Sequence, residues 1–431
     1  MSLLEKIIRR HTLLSNGDPL FAKFLGCQLM GNILSKNSYV SINPKPKRFN
    51  LYLCLVAKSY WGRKGVAQDM HTNYYPPDMI LPNESSAEQF LRNLSQTPNG
   101  IWMYGEISKL LKHIKKGGYL TDIIEVLNDL HNYERPRYIR NTLKYTSIID
   151  NPYPCFCASV TEEVLRDVVT PEMLDGGFFS KIILVPGKPG EASRRSAIPQ
   201  EAFDLDKEIT QEVLSLYKKN ITMTFTLDST ATDKFFDLES KAQEKTNISS
   251  IVGRYTEDVV ILAGILAFDD YLTKNSKNCI NSNNSNSSIN SNDNINTHIT
   301  TDTILTINTI ITQKHLSDAY LMIKPCIELA ERLYQYSSMN RKYILKLYNY
   351  VKENYPVHRS QASRQCNLDS SEIKEAEKTL IDIQNKMKLL TYTVTKSNGV
   401  TSKPHFVYCL TNPDKTKCMT CSLKGVCAKN E

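Results

Sequence analysis

The residues best placed to do chemistry lie where an apolar run, Leu51-Tyr-Leu-Cys-Leu-Val56, empties into Ala57-Lys-Ser59-Tyr-Trp-Gly62-Arg63-Lys64-Gly65. Further along, a second apolar run reaches a carboxylate in Ile101-Trp-Met-Tyr-Gly105-Glu106. A turn with adjacent cations after a buried strand suits a polyphosphate. Its amides and the next helix's N-terminus surround the oxygens, and a lysine neutralises charge. A carboxylate at the tip of a neighbouring strand suits the orientation of an attacking water. Aligned on the spacing of a phosphate loop, Gly62 takes the second glycine position, Arg63 or Lys64 the cationic one, and Ala57 replaces the first glycine. Two positions depart from the pattern. Gly65 stands where a Mg²⁺-holding hydroxyl should follow the lysine, and Gly105 where a Mg²⁺-holding acid should precede Glu106. Ser59 offers a substitute oxygen, but both direct protein ligands for Mg²⁺ stay open. So does a loop of this shape that has lost its chemistry.

A second group sits at the far end. Cys418, Cys421 and Cys427 have the spacing C-x2-C-x5-C, and Cys409 upstream makes four thiolates. Four thiolates suit tetrahedral zinc, with the C-x2-C pair as a knuckle, or a [4Fe–4S] cluster. The triplet also resembles the cluster-binding end of certain archaeal and CRISPR-associated nucleases, although the nuclease carboxylates do not accompany it. The other seven of the 11 cysteines are scattered, mostly in apolar runs, as small core residues of a reducing compartment are.

The net charge of +8 is concentrated rather than spread. Residues 340–431 carry 16 Lys and Arg against 8 Asp and Glu, so the preceding chain is neutral and polyanion contact is expected at this end. Phosphate contacts are expected from Arg341, Lys342, Arg359, Arg364, Lys396 and Lys403, and a helix face bearing Ser371, Lys374 and Lys378 could line a groove. Glu372, Glu375, Glu377 and Asp382 share that helix and count against deep insertion. A protein-docking surface fits the same residues.

The elements that must position these groups alternate. Residues 1–35 have helical spacing. From 48 to 190, apolar runs at 51–56, 102–104, 155–158 and 182–185 interleave with helical patterns at 87–95, 121–131 and 160–168. This predicts an α/β core with a mainly parallel sheet. Residues 201–272 read as largely helical, and an Asn/Ser-rich tract at 274–300 reads as a disordered insertion. Helix resumes at 313–336. Then come helices over 341–354, 359–366 and 370–387 and strands over 389–396 and 405–410, with Ser397-Asn398-Gly399 as the hairpin turn. That order predicts a winged helix.

The block order resembles that of RecA-like P-loop ATPases, a domain-of-unknown-function family in primase–helicase replication proteins of archaeal and bacterial mobile elements. The likeness covers about 45–335. It is carried by Gly62-Arg63-Lys64-Gly65, by Ile101–Leu111, by Pro154-Cys-Phe-Cys-Ala-Ser159-Val-Thr161, by Gly176-Gly-Phe-Phe-Ser-Lys181-Ile-Ile-Leu-Val185, and by the helix beginning at Arg254. The resemblance implies ATP with Mg²⁺, Lys64 and Arg63 on the phosphates, Glu106 on the water, and Ser159 or Thr161 as a γ-phosphate sensor. It also implies a homo-oligomeric ring, with Lys181 at the subunit interface and Arg254 on a functional helix. The work would be strand separation or translocation.

The expected organisation is a helical segment at 1–45, a RecA-like core at 46–200 and a helical extension at 201–337. A winged helix at 338–411 and a cysteine-rich metal knuckle at 412–431 complete it. DNA and replication proteins are the expected partners. A non-hydrolysing DNA-binding regulator and an interaction scaffold are the rival classes, and no acidic constellation of a primase is visible. No stretch reaches the ~18 apolar residues of a membrane span, and the N-terminus lacks a signal h-region, so the reading is a cytoplasmic protein without a membrane partner.

Overall fold

The computed structural model describes residues 1–15, 17–35, 37–42, 45–58, 63–83, 86–108, 110–111, 121–131, 137–141, 146–169, 177–188, 198–219, 221–244, 249–284, 305–339, 342–383, 387–392 and 405–410. The chain divides into two compact units, Met1–Ala330 and Glu331–Glu431. Both mix helix and sheet.

In the first unit, β3 (Tyr52–Val56), β4 (Ile101–Glu106), β7 (Cys155–Val160) and β8 (Ile183–Pro186) form a sheet in the order β4-β7-β3-β8, parallel throughout. β3 and β7 are buried at every position, as central strands covered on both faces must be. The helices between them are α3 (Lys64–Thr72), α4 (Ala87–Gln96), α5 (Thr121–His131) and α6 (Glu162–Val168), with a hairpin of β5 (Arg137–Asn141) and β6 (Thr146–Asp150) before β7. The strands and helices expected over 51–190 lie within a few residues of these bounds.

The amino-terminal helices are α1 (Leu3–Leu14) and α2 (Pro19–Ser35). α2 is buried on nearly all sides and carries two polar residues with work to do. Gln28 Nε2 donates to Leu51 O at 2.9 Å and Phe156 O at 2.8 Å, tying the amino ends of β3 and β7 together. Asn32 Nδ2 donates to Asn99 O at 2.6 Å. Gly31 is required by contact: a Cβ there would lie 2.5 Å from Phe49 O.

A second sheet departs from expectation. β1 (Tyr39–Ile42), β2 (Lys45–Lys47), β9 (Ile221–Leu227) and β10 (Leu305–Ile311) pair in the order β10-β9-β1-β2. The segment 1–45 is therefore not helical throughout, and strands interrupt the extension expected at 201–337. β9 reads Ile-Thr-Met-Thr-Phe-Thr-Leu, an apolar/threonine alternation suited to a half-buried strand. Helices α7 (Gln200–Lys218), α8 (Ser229–Glu244) and α9 (Ser249–Asn284) surround it. α9 runs into the Asn/Ser tract, correcting the insertion's expected start at 274; residues 285–304 lie outside the described set.

Asp258 on α9 is fully buried, and its Oδ2 has no partner. Burial pushes its carboxyl up to about 8, opposed by Arg254 and Lys47 and reinforced by Glu257. A carboxyl raised from 3.8 stabilises the fold fully only below its unfolded pKa, and that contribution is lost as pH rises toward 8. Asp258→Asn should therefore gain about 2–4 kcal/mol at pH 7.5 and little near pH 4. Urea unfolding at the two pH values checks this.

The second unit begins within α10 (Gln313–Met339) and contains α11 (Lys342–Asn354), β11 (Val357–His358), α12 (Arg359–Cys366), α13 (Ser370–Glu377), a π-turn at Lys378–Ile383, β12 (Met387–Tyr392) and β13 (His405–Leu410). The strands form an antiparallel sheet, β11-β13-β12. α11, α12 and α13 bury Ile344, Leu347, Val351, Ala362, Cys366 and Ala376 against Met387 and Tyr408. Asn367, in the left-handed region at φ 50°, ends α12, and Asp369 caps α13 in a reciprocal box with Glu372. The hairpin turn at 397–399 lies outside the described residues.

Candidate functional site

The strand order decides which side chains meet. Each parallel crossover is right-handed by the general rule, so the connection from β3 toward β4 leaves on one face of the sheet. The connection from β7 toward β8 leaves on the other. The chain therefore switches direction between β3 and β7, and the carboxyl ends of strands flanking such a switch are where open α/β sheets take ligands.

Four expected residues converge there. Lys64 opens α3 directly after β3, and its Nζ reaches back to Ala57 O at 3.5 Å. Glu106 ends β4, Ser159 nearly ends β7, and Thr161 follows it. Glu106 pairs in register with Ser159, leaving Gly105 as a bulge between Tyr104 and Glu106. Ser159 Oγ donates to Gly105 O at 3.0 Å, and the Ile107 amide to Ser159 O at 3.0 Å, which fixes the bulge. Bulges re-aim side chains beside functional sites, and this one leaves Glu106 exposed at the edge. Buried Cys54 senses both charges: beyond burial and Cys157, Glu106 pushes its thiol pKa up and Lys64 pulls it down.

Arg63 adopts the left-handed conformation (φ 47°, ψ 30°) before α3, which has no side-chain cap. The first intrahelical bond runs from the Ala67 amide to Arg63 O, at 3.0 Å. The leading amides of α3, at Lys64, Gly65 and Val66, thus have no intrahelical acceptor and carry the positive end of the helix dipole. Ser59 and Gly62 lie outside the described residues. Thr161 caps α6 by accepting from the Val164 amide at 3.3 Å, which leaves its hydroxyl proton for another acceptor. α6 also brings Glu162 and Glu163, which sequence reading passed over; Arg166 holds Glu162 at 2.5 Å.

The residues present do not fit Mg²⁺ held by protein oxygens in the P-loop pattern. Gly65 and Gly105 offer no side-chain ligand, yet a Cβ at either would meet nothing within 4 Å. At these two positions there is room for a ligand side chain but none is present.

Lys181 and Arg254 belong elsewhere. Lys181 lies two residues before β8, at the amino edge of the sheet, and its Nζ donates to Asn128 O at 2.7 Å. Burial, then the nearby Arg254, lowers its pKa to about 8. Arg254 pairs with Glu257, which also binds Lys47 at 3.2 Å. Lys181 and Arg254 are therefore grouped with each other, Asn128 and Glu257, and not with Lys64, Glu106, Ser159 and Thr161.

In the second unit, Ser371, Lys374 and Lys378 are exposed at helical spacing along one face of α13 and the turn after it. Two acids that count against groove entry are used internally. Glu372 closes the capping box, and Glu377 accepts Arg359 Nε at 2.5 Å, Arg359 Nη2 at 2.7 Å and Tyr408 OH at 2.5 Å. Arg359 is therefore a fixed structural cation. Arg364 is exposed, with Nε donating to Ser360 O at 3.3 Å. Arg341, Lys396 and Lys403, and the side chain of Lys342, lie outside the described residues.

Cys409 is buried in the core of this unit, while Cys418, Cys421 and Cys427 lie outside the described residues. Among the described residues no three His, Cys, Asp or Glu side chains group as a metal site. No described helix is long and apolar enough to cross a membrane. No protein-family model matches the chain, and no curated protein is similar to it.

Proposed function

We propose that the first unit binds and hydrolyses ATP at the carboxyl edge of β4-β7-β3, and that the second unit holds DNA. The protein would then be a DNA-associated RecA-like ATPase of the helicase or translocase kind. The observation that carries the reading is the strand order. Because β7 lies between β3 and β4, Lys64, Glu106, Ser159 and Thr161 gather at one edge beside an uncapped helix N-terminus.

In this mechanism Lys64 leaves its long bond to Ala57 O for the β- and γ-phosphates, and the first amides of α3 take the remaining oxygens. Glu106 aligns water with the γ-phosphorus. Ser159, tied to Gly105 O, transmits loss of the γ-phosphate to the bulge that carries Glu106. Lys181 and Arg254, at the opposite edge, would face a neighbouring subunit in a ring. The winged-helix reading of the second unit rests on its element order and on the cationic face of α13, with replication proteins as further partners. The cysteine tail would hold zinc or an iron–sulfur cluster, which metal analysis of anaerobically purified protein distinguishes.

Gly65 and Gly105 favour a second reading, a DNA-binding regulator with an inert core. ATP turnover with and without DNA separates the two. DNA-stimulated turnover that falls at least about a hundredfold in Glu106→Gln, with ATP binding kept, is expected. Salt-dependent DNA binding indifferent to ATP, without turnover, would replace the ATPase by the regulator. Since both glycines have open space, Gly65→Ser combined with Gly105→Asp should raise Mg²⁺-dependent turnover about tenfold or more in the same assay.

A further inference from the structure

Beside α13 the second unit has a cleft of about 470 Å³, the size of small-ligand sites. Its lining includes Phe406, Ile373, Lys374, Arg359, Ser360 and Ser370. Phe406 lies on β13 two residues before Tyr408, so both side chains leave the same face of the sheet. Tyr408 is fully buried in the core, whereas Phe406 runs past the core's edge and stays 42% exposed. A flat apolar ring is thus presented to solvent in a cleft otherwise rich in hydroxyls.

The cations in the cleft differ. The Arg359 fork is filled by both oxygens of Glu377. Lys374 is exposed and forms no ion pair among the described residues. One ring for stacking and one available ammonium match a base and a singly charged phosphodiester. A phosphorylated side chain, carrying close to two charges, would want the bidentate arginine that Glu377 occupies.

We propose that this cleft takes one unpaired nucleotide of a DNA strand, its base on Phe406 and its phosphodiester on Lys374 and the serines. Resting on the DNA-binding reading of this unit, it makes single strands and duplex ends with overhangs the favoured substrates over continuous duplex.

The test is fluorescence anisotropy of the full chain with a labelled single strand, a duplex with an overhang and a blunt duplex. Wild type should bind the first two at least about fivefold tighter than the third. Phe406→Leu, which keeps apolar volume without a flat ring, should abolish that preference while leaving blunt-duplex affinity within twofold. Lys374→Ala should weaken single-strand binding and reduce its log–log salt slope by about one counterion. Equal binding of all three DNAs, or a preference untouched by Phe406→Leu, overturns the nucleotide cleft alone. Tight binding of a phosphopeptide competitor at the cleft overturns it in favour of a protein ligand. No binding to any DNA removes the DNA reading as well.

Discussion

Lys64→Ala should lower affinity for ATP by about ten- to a hundredfold or more, as expected for charge-assisted hydrogen bonds worth roughly 1.5–3 kcal/mol. The prediction is sharp because, among the described residues, the side chain has no carboxylate partner and makes only the 3.5 Å reach to Ala57 O. Removing it strands no buried charge, so the unfolding midpoint should move little. Binding isotherms for ATP, paired with urea unfolding of both proteins, check the two halves together. Lys64→Arg should recover part of the affinity, and Lys64→Ala should leave DNA binding by the second unit unchanged. A variant that binds ATP like wild type would remove Lys64 from the site.

The protein should lose stability steeply in acid through two buried imidazoles. His71 on α3 donates from Nδ1 to Ala67 O at 2.9 Å, and its Nε2 has no partner. His11 on α1 meets Ser15 Oγ through Nε2 at 3.2 Å, its Nδ1 has no partner, and the two rings lie 6.4 Å apart. Burial lowers His71 to about 3, with the neighbouring His11 adding to the effect. Burial lowers His11 to about 4, and Asp18 opposes that while Arg10 adds to it. Arg10 is itself held by Asp206 at 2.7 Å.

A histidine depressed below its unfolded value of 6.5 contributes its full stability above that pH. The contribution is lost as pH falls toward the folded value. From pH 6.5 to 4 the loss should be on the order of 3 kcal/mol for each ring. Asp258 tilts the other way between pH 4 and 8, so the histidines are best isolated by substitution. His71→Phe should remove about half of the acid slope in unfolding free energy between pH 6.5 and 4. An unchanged slope would place the acid sensitivity elsewhere.

These histidines also mark what a single sequence hides. The apolar strand ahead of Lys64 and the acid-tipped strand were legible because period and punctuation are local. Strands β3, β4, β7 and β8 accordingly lie where the apolar runs place them. That β7 lies between β3 and β4 is long-range, and no residue in those strands announces it. The β1, β2, β9 and β10 sheet escaped for a different reason. Its strands are short or rich in threonine, and its members are brought together from positions 39 to 311. Glu377 counted against deep groove insertion, yet it serves Arg359 and Tyr408 across 18 and 31 residues. The Gly105 bulge was read only as a missing ligand, because the register that makes it a bulge depends on its pairing with β7.

The most direct test of the account is to crosslink 8-azido-ATP to the wild-type protein and map the modified peptides by mass spectrometry. The account predicts labelling of peptides that bracket the carboxyl ends of β3, β4 and β7, namely 57–66, 105–108 or 159–163, competed by unlabelled ATP and lost in Lys64→Ala. Competable labelling only at the amino edge, near Lys181 and Arg254, or no competable labelling at all, would contradict it.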